Sequence, residues 1–182
     1  MSEELVVMHC SPTLAKLKTG NMFSCRCECK EELFKAIRAL NKRLVPKGLR
    51  LLPLKYSDGL ALIYLFRPSL LARDLSDSAA LTILEQAGYQ SVKPEHSIRQ
   101  LIRRLDECKG FPHEIGLFLG YPPEDVKGFI EHKGTQFKFA GLWKVYGDEH
   151  AARRRFESYL KCTESYQKQL AYGKSVEHLA IA

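Results

Sequence analysis

No stretch of this 182-residue chain approaches the ~20 consecutive apolar residues that a membrane-spanning helix needs. Leu5-Val6-Val7-Met8, behind the acidic start Met1-Ser2-Glu3-Glu4, is too short for the core of a secretory signal. Together these absences argue against a helical membrane protein and for a cytoplasmic one. Internal repeats, low-complexity tracts and an obvious linker are missing as well, so the chain reads as one domain over residues 1–182. The two-residue gap between cysteines that marks a zinc knuckle is absent, and no motif calls for an organic cofactor.

What is there is ordinary core material and an excess of positive charge. Apolar residues make up 45% of the chain, enough for a packed interior, and 28 Lys and Arg against 21 Asp and Glu give a net charge of +7. That charge could attract phosphates, but it is spread along predicted helices, where solvated faces explain it as well. Six cysteines, Cys10, Cys25, Cys27, Cys29, Cys108 and Cys162, are expected as reduced thiols in a chain without a secretory signal.

The hydrophobic pattern predicts an α+β domain, a small and mostly antiparallel sheet covered by helices. Leu5 to Cys10 reads as a short buried strand, followed by a helix with Ser11 as N-cap and Pro12 at its first position. Leu33, Phe34, Ile37, Leu40 and Leu44 form a helical stripe. Apolar runs at 49–55 and 60–67 flank Ser57-Asp58-Gly59, a hairpin signal. Helices are expected at 69–75, 77–87, 97–108, 112–119 and 123–132, a strand at 137–146, and a long helix from Glu149 to Tyr166.

Three constellations carry chemistry. Cys10 before a helix start would be stabilised as a thiolate by backbone N–H groups. With His113 as proton shuttle and Glu114 orienting a partner, it would form a catalytic Cys-His-acid set. Thr13, Lys18 and Asn21 would hold an anionic or carbonyl group beside it, and Tyr121 would line the pocket. Secondly, Cys25, Cys27 and Cys29 alternate on an extended segment and could face one soft metal, although a lone C-x-C-x-C is a weak signal and no metal ligand is assigned from it. Thirdly, residues 112–132 match a helix-turn-helix, with Gly116 at the helix approach and Gly120 at the turn. Against DNA stands Pro123-Glu124-Asp125, which would present carboxylates to a polyanion.

His9-Cys10-Ser11-Pro12-Thr13, Leu17-Lys18-Thr19-Gly20-Asn21, Pro112-His113-Glu114, Leu119-Gly120-Tyr121-Pro122 and Lys144-Val145-Tyr146-Gly147-Asp148 together resemble a bacterial family of unknown function. It is of about this length and is marked by its Pro-His-Glu and Leu-Gly-Tyr-Pro motifs. The resemblance implies that the amino-terminal segment and the Pro-His-Glu corner belong to one domain. It brings no activity to carry over. Some relatives have cysteines where this chain has Phe137, Phe139 and Leu142, which argues against a family-wide metal site here.

The leading expectation is a cytosolic protein with a small-molecule pocket where the Cys10 turn meets the His113–Glu114 corner, with thiol-dependent catalysis or redox chemistry. The alternatives are DNA binding through 112–132 and a structural or interaction module without chemistry. Nothing in the sequence sets the oligomeric state.

Overall fold

The computed structural model describes residues 2–91, 93–107 and 110–182. In chain order the elements are α1 (Glu3–Leu14), β1 (Gly20–Arg26), α2 (Lys30–Leu44), β2 (Arg50–Ser57), β3 (Leu60–Phe66), α3 (Pro68–Leu75), α4 (Ser78–Gln86), α5 (Pro94–Glu107), α6 (Ile115–Phe118), α7 (Pro123–Glu131), β4 (Phe139–Ala140), β5 (Lys144–Val145), α8 (Glu149–Ala171) and α9 (Val176–Leu179). This is the α+β class expected. The chain divides into two compact units, Met1–Ser69 with Tyr159–Ala182, and Leu70–Ser158. Among the described residues no helix is long and apolar enough to cross a membrane.

The first unit is built on a three-stranded antiparallel sheet in the order β1-β3-β2. The Asp-Gly turn forms as its chemistry demands, with Asp58 at φ 52° and Gly59 at φ 72° joining β2 to β3. Phe23, Cys25, Leu51, Ala61, Ile63 and Leu65 share a core with α1, α2 and α9. Of the stripe expected on helix α2, Leu33, Ile37, Leu40 and Leu44 are buried and Phe34 is half-buried. Asn41 ties it to β2, its side chain donating to Leu51 O and accepting from Leu51 N.

Residues 5–10, expected as a strand, are helical. A short apolar run fits a buried strand and a buried helix equally well. Here Val6, Val7, Cys10 and Leu14, at helical spacing, are completely buried. Ser11 and Pro12, expected at a helix start, lie in the last turns of α1. Proline near the end of a helix breaks few hydrogen bonds, and the Ser11 hydroxyl donates to Val7 O at 2.5 Å.

The second unit packs α3 to α7, the β4–β5 hairpin and the first half of α8 around Leu75, Leu84, Leu101, Phe118, Val126, Val145 and Phe156. The helix expected at 97–108 starts earlier, at Pro94, and its expected end, Cys108, lies outside the described residues. The strand expected over 137–146 is instead a hairpin of two-residue strands. Gly141 sits at its bend, where a Cβ would fall 2.2 Å from the Phe156 ring. A glycine inside an apparent strand marks such a bend.

Candidate ligand-binding site

The corner at Pro112-His113-Glu114 is a turn that leads into one turn of helix rather than the full helix expected over 112–119. Ile115 N donates to Pro112 O, Gly116 N to His113 O and Leu117 N to Glu114 O. Gly120, at φ 72°, then reverses the chain. Tyr121 N donates back to Gly116 O, and Pro123 opens α7. The approach of α6 to α7 needs Gly116, since a Cβ there would meet Val126 Cγ2 at 2.8 Å and Tyr121 Cδ2 at 3.1 Å.

Two buried carboxylates hold this corner together. Glu114 accepts from Arg104 Nε at 2.5 Å and from the Tyr89 hydroxyl at 3.2 Å. Arg104 also donates to Ala87 O, joining α5 to the end of α4. Asp125 accepts from Trp143 Nε1 at 2.7 Å with one oxygen, and from the N–H groups of Tyr146 and Gly147 at 2.7 and 2.8 Å with the other. Asp125 thereby fastens α7 to the β5 hairpin. The tie to Trp143 carries no signature in the sequence.

Around these clamps the second unit opens two adjoining cavities. The larger, about 410 Å³, is walled by Phe111, Tyr121, Phe129, Leu142 and Trp143, with His113 and Lys144 among its lining. Tyr121 stacks on Trp143 at 4.6 Å, Trp143 meets Phe156 edge-on at 4.4 Å, and His113 lies edge-on to Phe129 at 5.0 Å. Phe111 and Leu142 remain exposed. The second cavity, about 390 Å³, is lined by Arg104, Glu114, Gln86 and Ile83 and shares Phe111 and His113 with the first. Of the expected site residues, His113 and Tyr121 line one cavity. Glu114 reaches the neighbouring one but spends its carboxylate on Arg104 and Tyr89.

Cys10, Thr13, Lys18 and Asn21 belong to the first unit. Cys10 is mid-helix, not at a helix start, so no N-terminal N–H groups face its sulfur. It is completely buried, and desolvation pushes its thiol far above the ordinary range. The physical basis for an activated thiolate at this position is therefore gone. Thr13 Oγ1 donates to Asn21 Oδ1 at 2.7 Å, so that part of the polar group does form. It forms beyond the C-terminal end of α1, where the helix dipole disfavours an anion. Cys25 is buried, Cys27 donates to Cys29 O and Cys29 to Glu31. Among the described residues no three His, Cys, Asp or Glu side chains gather as a metal centre requires.

Lys18 is only 8% exposed, and burial pushes its ammonium down from the ordinary 10.5 to about 8. Below pH 8 both folded and unfolded chains carry the charge, and folding bears the full cost of burying it. Between about pH 8 and 10.5 the unfolded chain keeps a proton that the folded one releases, so this residue's contribution to stability rises with pH. Cys10 acts in the opposite sense above its ordinary range, because only the unfolded chain ionises there. A comparison with Lys18→Met isolates the lysine. The stability of the variant relative to the parent should fall by about 2 kcal/mol between pH 7 and pH 10, read by urea unfolding. A pH-independent difference would mean that Lys18 is ordinarily solvated.

In the helix-turn-helix segment, α6 is a single turn. Helix α7 buries Asp125, Val126 and Gly128 and turns Glu124, Lys127 and Glu131 outward. Lys127 faces Glu131 at 3.8 Å, so the exposed side of α7 carries no surplus positive charge.

Neither the curated proteins nor the solved structures contain a match to this chain. One family model nevertheless matches nearly the whole chain. Over residues 6–180 the chain belongs to the family described as Protein of unknown function (DUF3793).

Proposed function

We propose that this protein binds a small, flat, predominantly apolar molecule in the aromatic cavity of its second unit, without performing chemistry on it. The observation that carries this reading is the cavity's lining. Seven apolar or aromatic side chains line about 410 Å³, and the buried acid among them, Asp125, has both oxygens engaged. Ligand sites are typically concave, mostly apolar and supplied with few polar groups, which is the composition seen here. The thiol chemistry expected around Cys10 has no such support, because that sulfur is sealed in a core and held protonated.

The protein carries its own reporter. Trp143, the only tryptophan, stands in the cavity wall. Titration with phenylpropanamide, a neutral aromatic probe, should change its emission in a saturable way. Leu142→Gln, at an exposed wall position, should weaken binding about tenfold by removing apolar contact. Trp143 emission that stays constant to millimolar probe would overturn the proposal.

A further inference from the structure

The lining of the aromatic cavity holds one lysine, Lys144, and one carboxylate, Asp125, and the two differ in what they can offer a ligand. Lys144 lies on β5 and is half-buried. Its ammonium lies 5.0 Å from the centre of the Phe137 ring and 5.7 Å from that of Phe129, the ring that His113 also touches. Among the described residues its one hydrogen-bond partner is Gly134 O, at 2.6 Å. An ammonium has three N–H donors, and a single carbonyl takes one of them. The rings hold the cation in place without accepting conventional hydrogen bonds.

Asp125 keeps its negative charge, but both of its oxygens are engaged within the protein. Asp125, the acid of the lining, is 4% exposed and accepts three hydrogen bonds from Trp143, Tyr146 and Gly147. A molecule in this cavity therefore finds hydrogen-bonding capacity left on the Lys144 ammonium, in an otherwise largely apolar wall, and none left on the Asp125 oxygens. An apolar body satisfies Phe111, Tyr121, Leu142 and Trp143. A carboxylate attached to it satisfies Lys144 with a charge-assisted hydrogen bond. An amine at the same place would meet repulsion and three redundant donors.

Resting on the binding reading above, we infer that the cavity selects a carboxylate anion with a flat apolar body, and that Lys144 is the residue that reads the carboxylate. Lys144 is thus a specificity-determining residue of the site.

Three probes with one aromatic body separate the claims: phenylpropanoate, phenylpropanamide and phenylpropylamine, titrated by Trp143 emission and by calorimetry. The carboxylate should bind about tenfold or more tightly than the amide, as a hydrogen bond to a charged group predicts, and the amine should bind most weakly. Lys144→Met should erase the preference of the carboxylate over the amide, while Lys144→Arg should keep it. Rising salt should narrow the gap. If the amide equals the carboxylate in the parent protein, the charge inference falls and the apolar pocket stands. If no probe binds, both fall. A preference that survives Lys144→Met overturns the role of this residue, and should that variant not fold, the ranking of the three probes on the parent decides.

Discussion

Replacing Arg67 with Met should destabilise the protein by about 3–5 kcal/mol, the largest loss expected from a single change at a polar residue. Arg67 follows β3 and is 2% exposed. Its guanidinium donates from Nε to Thr13 O at 2.8 Å, from Nη2 to Leu14 O at 2.8 Å and to Ile181 O, and from Nη1 to Lys47 O at 3.2 Å. Thr13 and Leu14 are the last residues of α1, which has no basic residue in its own final turn. Arg67 therefore supplies the cation that the negative end of that helix favours, from a distant point in the chain. It also ties the carboxy-terminal segment to α1 and to the turn after α2.

Methionine fills similar space but leaves these carbonyls without their donor, at about 1–3 kcal/mol for each that stays dry. Lysine should recover only part of the loss, because one ammonium cannot reproduce the planar fork that reaches four carbonyls. Urea unfolding followed by far-ultraviolet circular dichroism gives the measurement, since Trp143 reports the other unit. A loss below about 1 kcal/mol would show that water replaces the guanidinium at little cost.

Asp125→Ala should cost about 3 kcal/mol, from three charge-assisted hydrogen bonds that do not add fully. The consequence reaches further than stability. Trp143 is 8% exposed, and its Nε1 is held by this carboxylate while its ring stacks on Tyr121. Without Asp125 the indole loses its polar anchor, so its emission should shift toward longer wavelength and the cavity should lose its shape. Asp125→Asn should fall between, because one oxygen can still accept while the amide nitrogen meets an N–H donor head-on. An unfolding midpoint and an emission maximum both unchanged in Asp125→Ala would remove this residue from the scaffold of the site.

Much of the architecture was legible where local chemistry and the global fold agree. The stripe on α2, the Asp-Gly hairpin between β2 and β3 and the glycine corner at Gly116 and Gly120 each follow from residue type and spacing. The amino-terminal segment was misread for a definite reason. Buried on several sides, α1 shows no polar face, so the periodicity that separates helix from strand is missing there. That single error moved Cys10 from the middle of a helix to the start of one, and the thiol reading rested on that placement. The hairpin at β4 and β5 was missed because Phe137 and Phe139 alternate convincingly, whereas Gly141 acts through its contact with Phe156, which lies far along the chain.

The site divides in the same way. His113 and Tyr121, expected at a pocket, do line a cavity, because both stand at the rigid corner that Gly120 marks in the sequence. Lys144 and Leu142 stand out in the sequence only through the family resemblance, and Phe129 not at all, because folding rather than local pattern brings them to the cavity.

By itself the amino-acid sequence determined the α+β class, the absence of a long apolar span, the family and the corner around Gly120, because these depend on composition, short-range spacing and turn chemistry. Only the tertiary structure decided that Cys10 is buried in mid-helix and that Glu114 and Asp125 are clamps. Desolvation and hydrogen-bond partnership set those roles, and both depend on residues brought near by folding rather than by order along the chain.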